Sequence, residues 1–147
     1  LLNDTMSDFS VIKGDINAVE PLKKPLSTMS PTIIMKDNKP FAILGSPGGE
    51  RIICNVVQVI SKLIDHRMSI DDAIDSARIT DNLKCKIYYE NRIDSKVIKQ
   101  LEALGHETEK VMDYDVRMGG VQGIIYMDDG TIEGAADPRR DGEAIGY

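Results

Sequence analysis

The sequence predicts an α+β fold with helices packed on an antiparallel sheet. Three observations predict it. Two hairpin signals lie far apart, at Asp37-Asn38-Lys39 and at Asp128-Asp129-Gly130, each between short β-type runs. A long apolar run at helical spacing follows the first hairpin. Between that run and the second hairpin the chain reads as short helix, strand, helix and strand.

Residues 3–31 are irregular and polar, punctuated by Gly14, Pro21, Pro25 and Pro31. Thr32 to Lys36 and Phe41 to Gly45 are the arms of the first hairpin. Glu50 to His66 is the long helix, and Ile52, Ile53, Val56, Val57, Ile60, Leu63 and Ile64 place one of its faces in the core. Ser69-Ile70-Asp71-Asp72 resembles a capping box with Asp where Glu is usual, and opens a helix to about Ala77. Ile87 to Tyr89 is a short strand. Asp94 caps a helix carrying Val97, Ile98, Leu101 and Leu104, with Gly105 suited to its C′ position. Glu107 to Met112 is extended, and Val121 to Met127 with Thr131 to Gly134 form the second hairpin. No internal repeat or low-complexity tract interrupts this order.

Composition excludes several classes. The 147 residues suit one ordinary domain. With 18 basic and 24 acidic residues, a net charge of −6, and no basic run beyond Lys23-Lys24 and Arg139-Arg140, a nucleic-acid partner is not expected. No apolar run approaches the roughly 18–20 residues of a membrane span. Cys54, inside the apolar helix, reads as a small buried hydrophobe, and Cys85 lies in a polar stretch. Two such cysteines make neither a disulfide framework nor zinc spacing, and His66 and His106 stand apart, so no metal site is expected. The opening Leu1-Leu2-Asn3-Asp4 reads like a strand end running into a turn, without initiator Met or signal segment. The expectation is a piece of a longer polypeptide, with any targeting segment upstream.

Four segments bear on chemistry. Leu44 to Arg51, Leu-Gly-Ser-Pro-Gly-Gly-Glu-Arg, sets glycines at the start of the apolar helix. Such a segment reads either as a turn before a buried helix or as bare amides presented to negative charge. Pro47 removes one donor and stiffens the entry. Glu50-Arg51 stands where an ATP loop needs Lys-Ser/Thr. Asn3 to Phe9 offers carboxylates that read as a solvated turn or as partners of an ammonium group. Lys24 to Thr32 sets hydroxyls between prolines, either a surface loop or a carboxylate site. The charges of Ala135 to Tyr147 read as pins for the C-terminus. No Gly-x-Ser-x-Gly elbow is present, and nothing marks His66 or His106 as a base for Ser46.

Taken in order, Leu2-Asn3…Met6-x-Asp8-Phe9, Pro25-Leu26-Ser27-Thr28-Met29-Ser30-Pro31-Thr32, Gly45-Ser46-Pro47-Gly48-Gly49-x-Arg51 and Ala136-Asp137-Pro138-Arg139 resemble the small, C-terminal subunit of the γ-glutamyltransferases. The resemblance covers essentially the whole chain. It implies an N-terminal-nucleophile hydrolase, a four-layer α-β-β-α sandwich to which this chain contributes sheet and one helical layer. It also implies a self-processing precursor whose new N-terminal Thr attacks a γ-glutamyl amide, with the α-amine as general base. The acyl group then passes to water, an amino acid or a peptide. Glutathione is the type of substrate implied.

Residue by residue, Gly48 and Gly49 match the family's oxyanion hole, Asp8 the carboxylate that holds the glutamyl α-ammonium, and Ser27 and Thr28 the hydroxyls that hold the α-carboxylate. Thr28 stands where Ser is usual. Thr5 stands where Gln or Glu usually contacts the ammonium, a departure that loosens that contact. The nucleophile is expected upstream of Leu1, and the carboxylate-binding Arg on the large subunit, the implied partner. No cofactor is implied. A periplasmic, secreted or cell-surface location is expected, as is self-association of the isolated piece. The short Ser10 to Lys24 connection resembles the branch without a pocket-covering loop, in which poly-γ-glutamate depolymerases are the alternative to glutathione hydrolases. A non-enzymatic γ-glutamyl-binding homologue is the third reading.

Overall fold

The computed structural model describes residues 5–81 and 86–146. Leu1-Leu2-Asn3-Asp4 and Cys85 lie outside the described residues.

Strands β1 (Thr32–Lys36) and β2 (Lys39–Gly45) form the first hairpin. Asp37 and Asn38 both take positive φ, the conformation a tight hairpin turn requires and one these residue types tolerate. Strands β6 (Gln122–Tyr126) and β7 (Ile132–Ala135) form the second. The two hairpins join edge to edge through β2 and β6 into an antiparallel sheet of order β1-β2-β6-β7.

Helices α1 (Ile52–Ile64) and α2 (Ile70–Asp75) cover one face of that sheet. Ala42, Leu44, Val121, Ile125 and Ala135 meet Ile52, Val56, Val59, Leu63, Ile70, Ala73 and Ile74 in one buried cluster. The expected apolar face of α1 is divided. Ile52, Val56 and Leu63 are buried, whereas Ile53, Val57 and Ile64 are exposed, because the stripe extends farther round the helix than one sheet face covers. The α-helix begins at Ile52, after a 3₁₀ turn over Gly49–Arg51. Ser69 caps α2 as expected, its Oγ accepting from the Asp72 amide at 3.1 Å.

A second sheet has the order β3 (Ile79–Asp81), β4 (Lys86–Glu90), β5 (Glu107–Val111). The pairing β3/β4 is antiparallel, but β4/β5 is parallel. Helix α3 (Ser95–Ala103), capped by Asp94, is the crossover that a parallel pair needs. The expected antiparallel arrangement holds for the four-stranded sheet and for β3/β4, but not for β4 and β5, which the α3 crossover makes parallel; patterning also missed β3, which has three residues and no alternation to reveal it. On α3 only Ile98 is buried; Val97 and Leu104 face out. Cys54 is half-buried rather than a core hydrophobe. Its thiol faces the Ile79 carbonyl at 3.7 Å and the Gln58 amide at 3.3 Å, so a polar side chain and the strand edge share its pocket.

The other face of the four-stranded sheet is apolar too. Ile33, Ile43 and Ile124 lie in register across it, with Ile33 62% exposed.

Candidate active site

The Gly45-to-Arg51 segment joins the end of β2 to the start of α1. Gly48 has φ +142° and Gly49 φ +57°, both outside the range of ordinary L-residues, so the glycines are required by the backbone. The Gly48 carbonyl accepts from the Arg51 amide at 3.1 Å and the Gly49 carbonyl from the Ile52 amide. The carbonyls are thus turned into the helix, and among the described residues no acceptor takes the Gly48 or Gly49 N–H. Two adjacent amides at a helix entrance can stabilise an oxygen that gains negative charge.

A second glycine pair supports the first. Gly119-Gly120 packs under the Ser46-to-Gly48 turn: the Gly120 amide donates to Ser46 Oγ at 3.2 Å, and a Cβ on Gly48 would lie 3.4 Å from Gly119 Cα. A Cβ on Gly119 would fall 2.2 Å from Asn55 Nδ2, on a residue whose φ is already +81°. Asn55 is fully buried, and neither atom of its amide finds a hydrogen-bond partner among the described residues. Gly119→Ala is therefore expected to destabilise the protein by about 1–3 kcal/mol through overpacking. Gly130→Ala, at φ +89° with no atom within 4 Å, isolates the backbone strain. Equal losses of thermal stability in the two variants would reject the packing account.

Beneath these turns lies a buried ionic network. Arg139 makes a two-pronged contact with Glu90, Nε to Oε1 and NH2 to Oε2, both at 2.6 Å. Asp137 Oδ1 accepts from Arg139 NH1 at 3.0 Å, and its Oδ2 pairs with Arg78 NH1 at 2.6 Å and accepts from the Val121 amide at 2.7 Å. Arg78 also donates to the Met118 carbonyl at 3.2 Å and to the Ile74 carbonyl at 2.8 Å. The side chains of Arg78, Glu90, Asp137 and Arg139 are completely buried. The network joins the C-terminal end of α2, the second sheet and the Gly119-Gly120 turn. Nearby, burial and the Arg78 cation push the Lys62 ammonium down to about 8, while its Nζ donates to the Ala77 carbonyl at 3.0 Å.

The sequence marked Asp137 and Arg139 as C-terminal pins, and they are buried anchors. It gave no sign of their partners Arg78 and Glu90. Neither lies in a motif, and burial of a charge has no local signature.

Thr5 and Asp8 bound a 3₁₀ turn, with Asp8 exposed and Thr5 half-buried. Ser27 is exposed, its Oγ accepting from the Met29 amide at 3.3 Å; Thr28 is half-buried, and its carbonyl accepts from Ser30 Oγ at 3.0 Å. One residue outside the sequence-derived set ties these two segments together. Asn17 Nδ2 donates to the Asp8 carbonyl at 2.7 Å, and Asn17 Oδ1 accepts from the Leu26 amide at 3.0 Å. Its own amide donates to Asp15 Oδ1 at 2.8 Å. The Asp15-Asn17 spacing, which suits an Asx turn, is the one sequence signal that could have found it. The structure thus brings the Asp8 turn beside the Leu26-Ser27 segment and sets Gly48-Gly49 on a separate, glycine-supported turn.

Comparison with known proteins places this arrangement. The sequence matches the family described as Gamma-glutamyltranspeptidase over residues 1–147. It is 41% identical over 147 residues to the glutathione hydrolase proenzyme of Bacillus subtilis (strain 168), covering 99% of this chain and 24% of that protein. It is 39% identical over 150 residues to that of Escherichia coli (strain K12), covering 95% and 25%. The chain spans about a quarter of the length of these curated relatives. Among solved structures, the γ-glutamyltranspeptidase from Pseudomonas nitroreducens complexed with L-DON superposes with a TM-score of 0.83 at 34% identity, covering 100% of this chain and 81% of that one. The fold is that of the N-terminal-nucleophile hydrolases, and the chain belongs to the γ-glutamyltranspeptidase family.

Proposed function

We propose that this chain is the C-terminal, small-subunit portion of an enzyme that cleaves γ-glutamyl amide bonds, as in glutathione. The γ-glutamyl group passes to water, an amino acid or a peptide through an acyl-Thr intermediate. The observation that carries the reading is the pair of amides at Gly48 and Gly49, held at the entrance of α1 and without an acceptor among the described residues. They would receive the oxyanion, a role worth about 10²–10³ in rate per donor in well-studied sites. Asp8 would hold the substrate ammonium, with Thr5 beside it, and Ser27 and Thr28 the α-carboxylate. The nucleophilic Thr would come from the segment before Leu1, and the Arg facing the carboxylate from a large subunit of the same precursor. A second sheet from those segments would cover the apolar face bearing Ile33, Ile43 and Ile124; without it, that face would drive self-association. A periplasmic, secreted or cell-surface location accompanies this reading, and no helix of the described residues is long and apolar enough to cross a membrane.

One observation favours a second substrate class. The Ser10 to Lys24 connection folds back on itself, with the Ser10 amide donating to the Asn17 carbonyl at 2.9 Å and Asn17 spending its side chain on Asp8 and Leu26. A cover that must cross the pocket and return has no residues to spare here. An open cleft would admit γ-linked oligomers of glutamate as well as glutathione.

The test uses the full-length, processed protein. Turnover of a γ-glutamyl anilide is expected, and Asp8→Ala is expected to lower kcat/KM by about 10–150-fold, the loss of a charge-assisted hydrogen bond to an ammonium. A processed Asp8→Ala protein with unchanged kcat/KM would overturn the assignment of Asp8. Absence of turnover in the wild type would favour the non-enzymatic, γ-glutamyl-binding reading. Cleavage of oligo-γ-glutamate by the same preparation decides the open-cleft reading.

A further inference from the structure

We infer that Ser46 is a positioning residue that aims the Gly48 N–H at the reacting oxygen, a role that rests on the oxyanion-hole reading of Gly48 and Gly49. The Ser46 oxygen has two partners. It accepts from the Gly120 amide at 3.2 Å, and it lies 2.7 Å from the Pro47 carbonyl, to which it donates. An amide and a carbonyl cannot exchange these roles, so the direction of the hydroxyl hydrogen is fixed by its surroundings.

The bond to Pro47 acts at a distance of one peptide unit. A trans peptide is planar, and its C=O and N–H point in opposite directions. The carbonyl of the Pro47-Gly48 unit belongs to Pro47 and its N–H to Gly48. Holding that carbonyl on the Ser46 hydroxyl therefore holds the Gly48 N–H on the opposite side. Gly48 needs this help. At φ +142° with no Cβ it has the widest choice of backbone conformations, and Pro47 can donate no hydrogen bond of its own.

The anchor behind Ser46 is tightly packed. Gly120 is closely packed, since a Cβ there would lie 2.3 Å from Arg140 Cγ. Gly119 is pressed against Asn55, and Val121, the next residue, gives its amide to the buried carboxylate of Asp137. A run of contacts thus leads from the ionic network through Gly120 and Ser46 to a single amide direction. Preorganisation of this kind lets a donor act without reorienting during the reaction.

The experiment compares Ser46→Thr with Ser46→Val in the full-length processed protein, two residues of similar shape that differ in the hydroxyl. Any cost of β-branching falls on both. On a γ-glutamyl anilide, Ser46→Thr is expected to keep kcat within about threefold of wild type, and Ser46→Val to lose about 3–10-fold in kcat with KM little changed, the scale of one neutral hydrogen bond. The second readout is inhibition by a γ-boronic-acid analogue of glutamate, whose tetrahedral adduct places an oxygen where the oxyanion forms, set against inhibition by glutamate itself. Ser46→Val is expected to weaken the boronate by the same factor as kcat and to leave glutamate unaffected.

Equal kcat in the Thr and Val variants would overturn the role of Ser46, as would a Val loss that appears only in KM or weakens boronate and glutamate alike. Failure of the underlying reading looks different: the wild type itself would bind the boronate no more tightly than glutamate.

Discussion

Asp137→Ala is expected to lower the apparent melting temperature of the full-length protein by about 2–4 °C, the consequence of about 3–5 kcal/mol in a protein of its relatives' length, of which this chain is about a quarter. Its side chain is completely buried and fills four roles. It balances Arg78 at 2.6 Å and Arg139 at 3.0 Å, and it accepts the amides of Val121 and Arg139 at 2.7 and 2.9 Å. Removing it leaves the two buried guanidiniums with Glu90 as their remaining buried carboxylate, and Arg78 Nε already finds no partner among the described residues. An uncompensated buried charge is far more costly than the pair was favourable, which is why loss of one partner is severe. Asp137→Asn keeps the shape and loses the charge, so it should fall between. Glu133→Ala, on an exposed strand position, should change little. Scanning calorimetry of the four proteins checks the order. A shift for Asp137→Ala no larger than for Glu133→Ala would show that the network is relaxed by water or by rearrangement.

The largest effect on activity should come from separating this chain from the rest of its protein. The purified 147-residue chain is expected to show no turnover of a γ-glutamyl anilide, because the proposed nucleophile and the proposed carboxylate-binding Arg both lie outside it. Donor amides alone stabilise a charge that nothing in the chain generates. The measurement is release of the aniline over hours at high protein concentration, with the full-length processed protein alongside. Turnover that survives repurification and follows the chain through a sizing column would overturn the proposed division of labour. The same column reports on the apolar sheet face: the chain is expected to elute as an oligomer, since Ile33, Met35 and Ile132 are more than half exposed on the sheet.

The sequence by itself determined the local elements. Both hairpins, the apolar helix and the Ser69 and Asp94 caps are where their residues put them, because turns, caps and amphipathic periodicity are decided within a few residues. It also brought out the four ordered motifs, and with them the family. Tertiary structure alone decided what those elements do to one another. The direction of β5 against β4 depends on how α3 crosses, and the three residues of β3 are a strand only because β4 is beside them. Ile53, Val57 and Ile64 of the α1 apolar stripe stay exposed because that stripe extends farther round the helix than one sheet face covers. Arg78 and Glu90 look like surface charges until the fold buries them against Asp137 and Arg139. Likewise Ser46, 74 residues from Gly120 along the chain, gains a fixed hydroxyl only when β2 and β6 pair. Contacts of that kind are set by the closing of the sheet, and no window of sequence contains both partners.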